Sequence, residues 1–226
     1  MPTTRLPLFP LPDVVHFPRT ELRLHVFEPR YRQLVRDLLA RERGARWIGM
    51  VLIKPGERPF DELPEIFGAG TAGQLVAVDP LPDGRSLIQL RGGFRFAIER
   101  EVGGQPYRQA IVRTLDEDRA SEEDAGLRRL RGDLVEMAGA LRKEMGDRFP
   151  LDQEAVAALR LPATSCEEVV NRLAAELDVP ALRKLQLLAE DLPQRAHNLA
   201  GILRARRRVL DLLRPYRALA AGAEHN

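Results

Sequence analysis

From Leu22 onward the chain alternates, with Leu22, Leu24 and Val26 set against Arg23, His25 and Phe27, and then the apolar positions stretch out to Tyr31, Leu34, Val35 and Leu38. The first spacing is that of a half-buried strand and the second that of an amphipathic helix, so the pattern predicts a strand passing into a helix. The change falls on Glu28-Pro29-Arg30-Tyr31. Pro29 suits the first helical position, where its fixed φ is already helical and its missing N–H costs nothing. Glu28 is then placed as the cap residue, with Arg30 as its candidate partner.

Strand patterns dominate up to about Leu115. WIGMVLI, Trp47 to Ile53, is a continuous apolar run of the length of a buried strand, closed by a Lys54-Pro55-Gly56 turn. Leu75 to Val78 leads to Asp83-Gly84, a hairpin signal, with Ser86 to Arg91 as the return strand. Gly92-Gly93 precedes Phe94, Phe96 and Ile98, which alternate with Arg95, Ala97 and Glu99, and a further strand is expected over Tyr107 to Leu115. Closely spaced short strands with Gly and Pro turns predict a small barrel or folded sheet.

The period then changes to that of helices. Ser121 with Asp124 is placed to cap a helix carrying Leu127, Leu130, Leu134, Met137, Leu141 and Met145, and Asp152 begins a shorter one. Ser165 with Glu168 makes a second capping box, Pro180 opens the next helix, and Pro193 opens a long one carrying Ala196, Leu199, Leu203, Leu210 and Leu213. Single apolar stripes require partners, so these helices are expected to form a bundle. The expected division is a β domain with one helix over residues 1–118 and a helical bundle over 119–222, joined by the charged stretch Asp116 to Glu123.

Composition narrows the function classes. The 226 residues are 44% hydrophobic and 30% charged, and 35 basic residues against 33 acidic ones give a net charge of only +2, too little to imply nucleic acid. A single cysteine, Cys166, excludes an internal disulfide, and no apolar stretch approaches the roughly 20 residues that span a bilayer, so a cytoplasmic location is expected. No phosphate-binding loop is present, because Lys54, Lys143 and Lys184 all sit in other contexts. Ser86 lies in a hairpin strand, Ser121 and Ser165 fit helix caps, and His16, His25, His197 and His225 are scattered. No catalytic residue, metal site or cofactor is therefore expected. The basic cluster RARRRV, Arg204 to Val209, lacks interleaved aromatics and reads as a solvated helix face.

LPLFPLPDVVHFPRTELRLHVFEPRYRQLV, with LPLFPL at Leu6 to Leu11, VVHFP at Val14 to Pro18 and LRLHVFEPRY at Leu22 to Tyr31, closely resembles the start of the amino-terminal, substrate-binding domain of the Lon protease family. GAGTAGQLVAV, DGRSLIQLRGGFRFAI and LRKLQLLAEDLPQRAHNLAGIL agree more loosely, and together the resemblance covers essentially the whole chain. It implies an α+β fold, a PUA-like β domain followed by a helical bundle, in a free-standing member without ATPase or peptidase domains. The function it implies is non-enzymatic polypeptide binding, as an adaptor or holdase for unfolded or partly folded chains or for a partner protease. RNA binding by a PUA-like fold is the alternative, opposed by the near-neutral charge and an aromatic content of 5%. The candidate polypeptide-binding residues are Phe60, Leu63, Ile66 and Phe67, apolar positions in the long connection Lys54 to Gly70. Against a binding role, Ile66 and Phe67 could simply begin the next strand.

Overall fold

A computed structural model describes residues 3–58, 63–115 and 124–223, with side chains as far as 214. The first strands are β1 (Thr3–Leu11), β2 (Glu21–Val26), β3 (Trp47–Ile53), β4 (Ile66–Pro80), β5 (Ser86–Val102) and β6 (Gln109–Leu115), with helix α1 (Pro29–Leu39) between β2 and β3. Among the described residues five further helices follow: α2 (Ala125–Met145), α3 (Gln153–Leu159), α4 (Cys166–Glu176), α5 (Ala181–Ala189) and α6 (Leu192–Ala223). The fold class is α+β, as expected.

The strands form one mixed sheet in the order β2-β5-β4-β3-β1-β6, and an additional β5–β6 pairing closes it into a barrel. Closure is unequal at the two ends. One edge of β5 pairs with β2 over Ser86 to Arg91 and with β6 over Arg95 to Val102, while β4 holds the other edge. β1 pairs with β6 over Thr3 to Pro7, with one further bond on that side from Leu8 N–H to the Arg108 carbonyl, and Phe9 to Leu11 pair with β3 alone. The wall is thus hydrogen-bonded shut through β6 at one end and leaves a seam between β1 and β2 at the other. α1 covers this region, burying Tyr31, Leu34, Val35 and Leu38 in one cluster with Phe9, Val26, Ile88 and Leu90.

Gly92-Gly93 does not separate two strands. β5 runs unbroken through it for 17 residues, with a register shift opposite Ala72 and Gly73. A Cβ on Gly92 would lie 2.1 Å from the Phe17 carbonyl oxygen, and one on Gly93 2.3 Å from the Trp47 ring, so the glycines permit a close backbone approach and not a turn. At Asp83-Gly84 the hairpin forms as expected, with Gly84 at a positive φ of 78°.

The chain makes two compact units, Met1–Glu117 with Asn171–Glu190, and Asp118–Val170 with Asp191–Asn226. The expected helical stretch 119–222 is therefore shared between them, α4 belonging partly to each. In the first unit, the buried Arg95 of β5 donates from one guanidinium nitrogen to the carbonyls of Leu188 (2.7 Å) and Glu190 (2.8 Å), which ties the α5 segment to the barrel. In the second unit, Asp124 caps α2 by accepting from the Leu127 N–H, Asp152 caps α3, and Ser165 Oγ accepts from the Glu168 N–H at the start of α4. The proposed cap Ser121 and the junction Asp116 to Glu123 fall outside the described residues.

Candidate functional site

The corner after β2 is built around Tyr31. Glu28 occupies the N-cap position with extended backbone, yet its side chain caps nothing; it turns to Arg30, whose Nε donates to Glu28 Oε2 at 2.9 Å. The second guanidinium contact is 2.7 Å, and the pair is mostly shielded from solvent. The Arg30 guanidinium also lies over the Tyr31 ring, 5.0 Å from its centroid, and Phe9 stacks on that ring with centroids 4.1 Å apart. Burial raises the Tyr31 phenol to about 12, so it remains a neutral hydroxyl at any physiological pH.

Two concavities flank this corner. The first, about 220 Å³, lies at the seam and is lined by Phe9, Leu11, Leu24, His25, Phe27 and Tyr31. Phe27 is 46% exposed, with its ring 5.9 Å from that of His25. The second, about 400 Å³, is lined by Arg30, Tyr31, Leu63, Glu101, Tyr107 and Arg108. Here Arg108 forms a two-pronged ion pair with Glu101, Nε to Oε2 at 2.8 Å, and donates to the Pro64 carbonyl, which fixes the backbone beside Leu63. Tyr107 donates to Asp37 Oδ2 at 2.7 Å; burial first, then that carboxylate, raises its phenol to about 12.

Of the four residues expected to bind polypeptide, Leu63 is 70% exposed on the rim of the second concavity. Ile66 and Phe67 are half-buried at the start of β4, where Ile66 pairs with Ile53 and packs against the barrel core. Phe60 falls outside the described residues. Sequence reasoning missed Phe27 and the seam. Its signal was present, since Phe27 is an aromatic on the side of the alternation otherwise held by Arg23 and His25.

Cys166 is buried with its Sγ toward the Leu127 carbonyl, and burial lowers His16 to about 4, which keeps it neutral. Among the described residues no group of three His, Cys, Asp or Glu side chains could hold a metal ion, and no helix is long and apolar enough to cross a membrane. A cavity of about 450 Å³ in the second unit is lined by Arg142, Lys143 and Arg160, but Arg142 is engaged by Asp147 at 2.8 Å and Arg160 lies 3.6 Å from Glu136.

Residues 5–204 match the family model of the ATP-dependent protease La (LON) substrate-binding domain. The chain is 28% identical over 139 residues to the Lon protease of Flavobacterium johnsoniae, an alignment covering 62% of this chain and 17% of that protein. It is 25% identical over 208 residues to the Lon protease of Anaeromyxobacter dehalogenans, covering 92% and 24%. The chain thus spans a quarter or less of these relatives. Among solved structures, the Lon N-terminal domain protein from Xanthomonas campestris is similar with a TM-score of 0.60 and 28% identity, over 88% of this chain and 98% of that one. The N-terminal domain of the Mycobacterium avium complex Lon protease shares the fold with a TM-score of 0.68 at 14% identity, over 89% and 98%.

Proposed function

Because this chain belongs to the Lon substrate-binding domain family, we propose that it is a non-enzymatic polypeptide-binding module, acting as a holdase for unfolded segments or as an adaptor to a partner protease. The observation that carries this reading is the exposure of Phe27 and Leu63 on the two sides of Tyr31. An unfolded chain offers apolar side chains without fixed shape, and paired shallow concavities with apolar rims and charged margins suit it better than one deep pocket. Phe60, which lies outside the described residues, is kept as a candidate on its sequence alone, while Ile66 and Phe67 contribute more to the barrel wall.

The test is titration of a reduced, carboxymethylated model protein. A Phe27→Ser, Leu63→Ser double variant should bind it about tenfold more weakly, as expected for losing exposed anchor side chains, with a melting temperature close to wild type. Unchanged affinity in the folded variant would refute the assignment. Tight binding of single-stranded RNA by the wild type, with none of the unfolded protein, would favour the alternative class.

A further inference from the structure

We infer that the free edge of β2 is a docking strand, and that its occupant is an extended polypeptide segment that adds to the sheet at the β1–β2 seam. This rests on the polypeptide-binding reading above and specifies how the polypeptide is held.

The hydrogen-bond phase of β2 shows which groups are open. Gly92 N–H donates to the Thr20 carbonyl at 2.9 Å, and residues 21–26 continue that antiparallel register against β5. Hydrogen-bonded pairs alternate along such a ladder, so Leu22–Leu90, Leu24–Ile88 and Val26–Ser86 are the bonded ones. Glu21, Arg23 and His25 therefore turn their N–H and C=O groups away from β5. Among the described residues no strand pairs with that edge.

Proteins ordinarily blunt such an edge with proline, a bulge or charged side chains, lysine above all. Across the seam β1 is blunted in this way. Leu8 N–H makes the last bond toward β6, to the Arg108 carbonyl at 2.8 Å, so the next residue facing that side is Pro10, which has no N–H to offer. β2 contains no proline or lysine and pairs with β5 without a register shift, so its exposed charges, Glu21 and Arg23, are side chains only and leave its outward backbone groups open. Its open edge also runs into the apolar seam cavity lined by Leu24 and Phe27. Backbone groups of β2 would supply sequence-independent affinity, and the cavity would take one apolar side chain of every two. That is the requirement for capturing unfolded chains of varied sequence.

Proline at position 23 removes an outward donor while leaving the β5 ladder intact, since Arg23 makes no bond to β5. The probe is a short soluble peptide alternating leucine and threonine, followed by fluorescence anisotropy. Arg23→Pro should weaken binding at least about tenfold while Arg23→Ala stays within about twofold. The same peptide N-methylated at every second residue should fail to bind wild-type protein in one of its two phases, an arm that holds even if Arg23→Pro unfolds. Wild-type affinity of the methylated peptides in both phases, or equal losses in Arg23→Ala and Arg23→Pro, would overturn the inference. If these changes leave binding intact while the Phe27→Ser, Leu63→Ser variant loses it, the polypeptide-binding reading stands and the docking strand alone falls. If the wild type binds neither peptide nor unfolded protein, both fall. A dimer in sedimentation that Arg23→Pro dissolves would name a second copy as occupant and also overturn the inference.

Discussion

Glu28 and His16 show what single side chains do here. Glu28 holds Arg30, which in turn lies over Tyr31, so its removal leaves a shielded guanidinium without its carboxylate. The pair is neither fully exposed nor fully buried, and Glu28→Ala should cost about 1–3 kcal/mol, between the values typical of those two extremes. Thermal melting should show this loss with little change in polypeptide affinity; the reverse pattern would make Glu28 a contact residue. His16 is buried, with Nδ1 3.5 Å from Thr20 Oγ1, and burial lowers it to about 4 from an ordinary 6.5. The unfolded chain therefore takes up a proton that the folded one refuses. Stability should be intact above about pH 6.5 and decline as pH falls toward 4, by about 3 kcal/mol in total. Denaturation across this range should show a flatter curve in His16→Leu, and an equal slope in both proteins would remove His16 as the cause.

Elements differ in how far their own residues announce them. β3 and the β4–β5 hairpin were legible because a continuous apolar run and Asp-Gly are local signals, and the helix caps Asp152 and Ser165 are likewise read from neighbouring residues. Gly92-Gly93 misled because a turn and a close approach use the same residue, and the approaching groups, Phe17 and Trp47, are distant in sequence. Gly92→Ala should cost at least about 2 kcal/mol, since a Cβ must displace backbone and not a flexible side chain. A melting temperature within a degree or so of wild type would contradict this packing. The grouping of Asn171–Glu190 with the barrel was equally hidden, because it depends on a buried arginine meeting carbonyls some ninety residues away. Arg95→Met should leave those carbonyls unpaired, cost about 2–4 kcal/mol, and raise amide exchange across α5 more than across β3. Uniform exchange in the variant would argue against the anchor.

For the whole molecule, the proposed polypeptide-binding surface lies on the first unit, where Phe27, Leu63 and the edge of β2 lie within one stretch of surface around Tyr31. Of that proposed surface, Leu63 is suggested by an overlong apolar loop in the sequence, whereas the seam requires knowing that β2 and β6 share one edge of β5. The charge balance, 35 basic against 33 acidic residues, does not favour nucleic acid, and the exposed Arg204, Arg207 and Arg208 share one solvated face of α6. Hydrogen–deuterium exchange of the intact chain, with and without an excess of reduced, carboxymethylated protein, tests this placement most directly. Protection confined to residues 21–31, with weaker protection at 63–66 and 101–108, is the predicted result. Protection absent from those segments, or concentrated on α6, would contradict it.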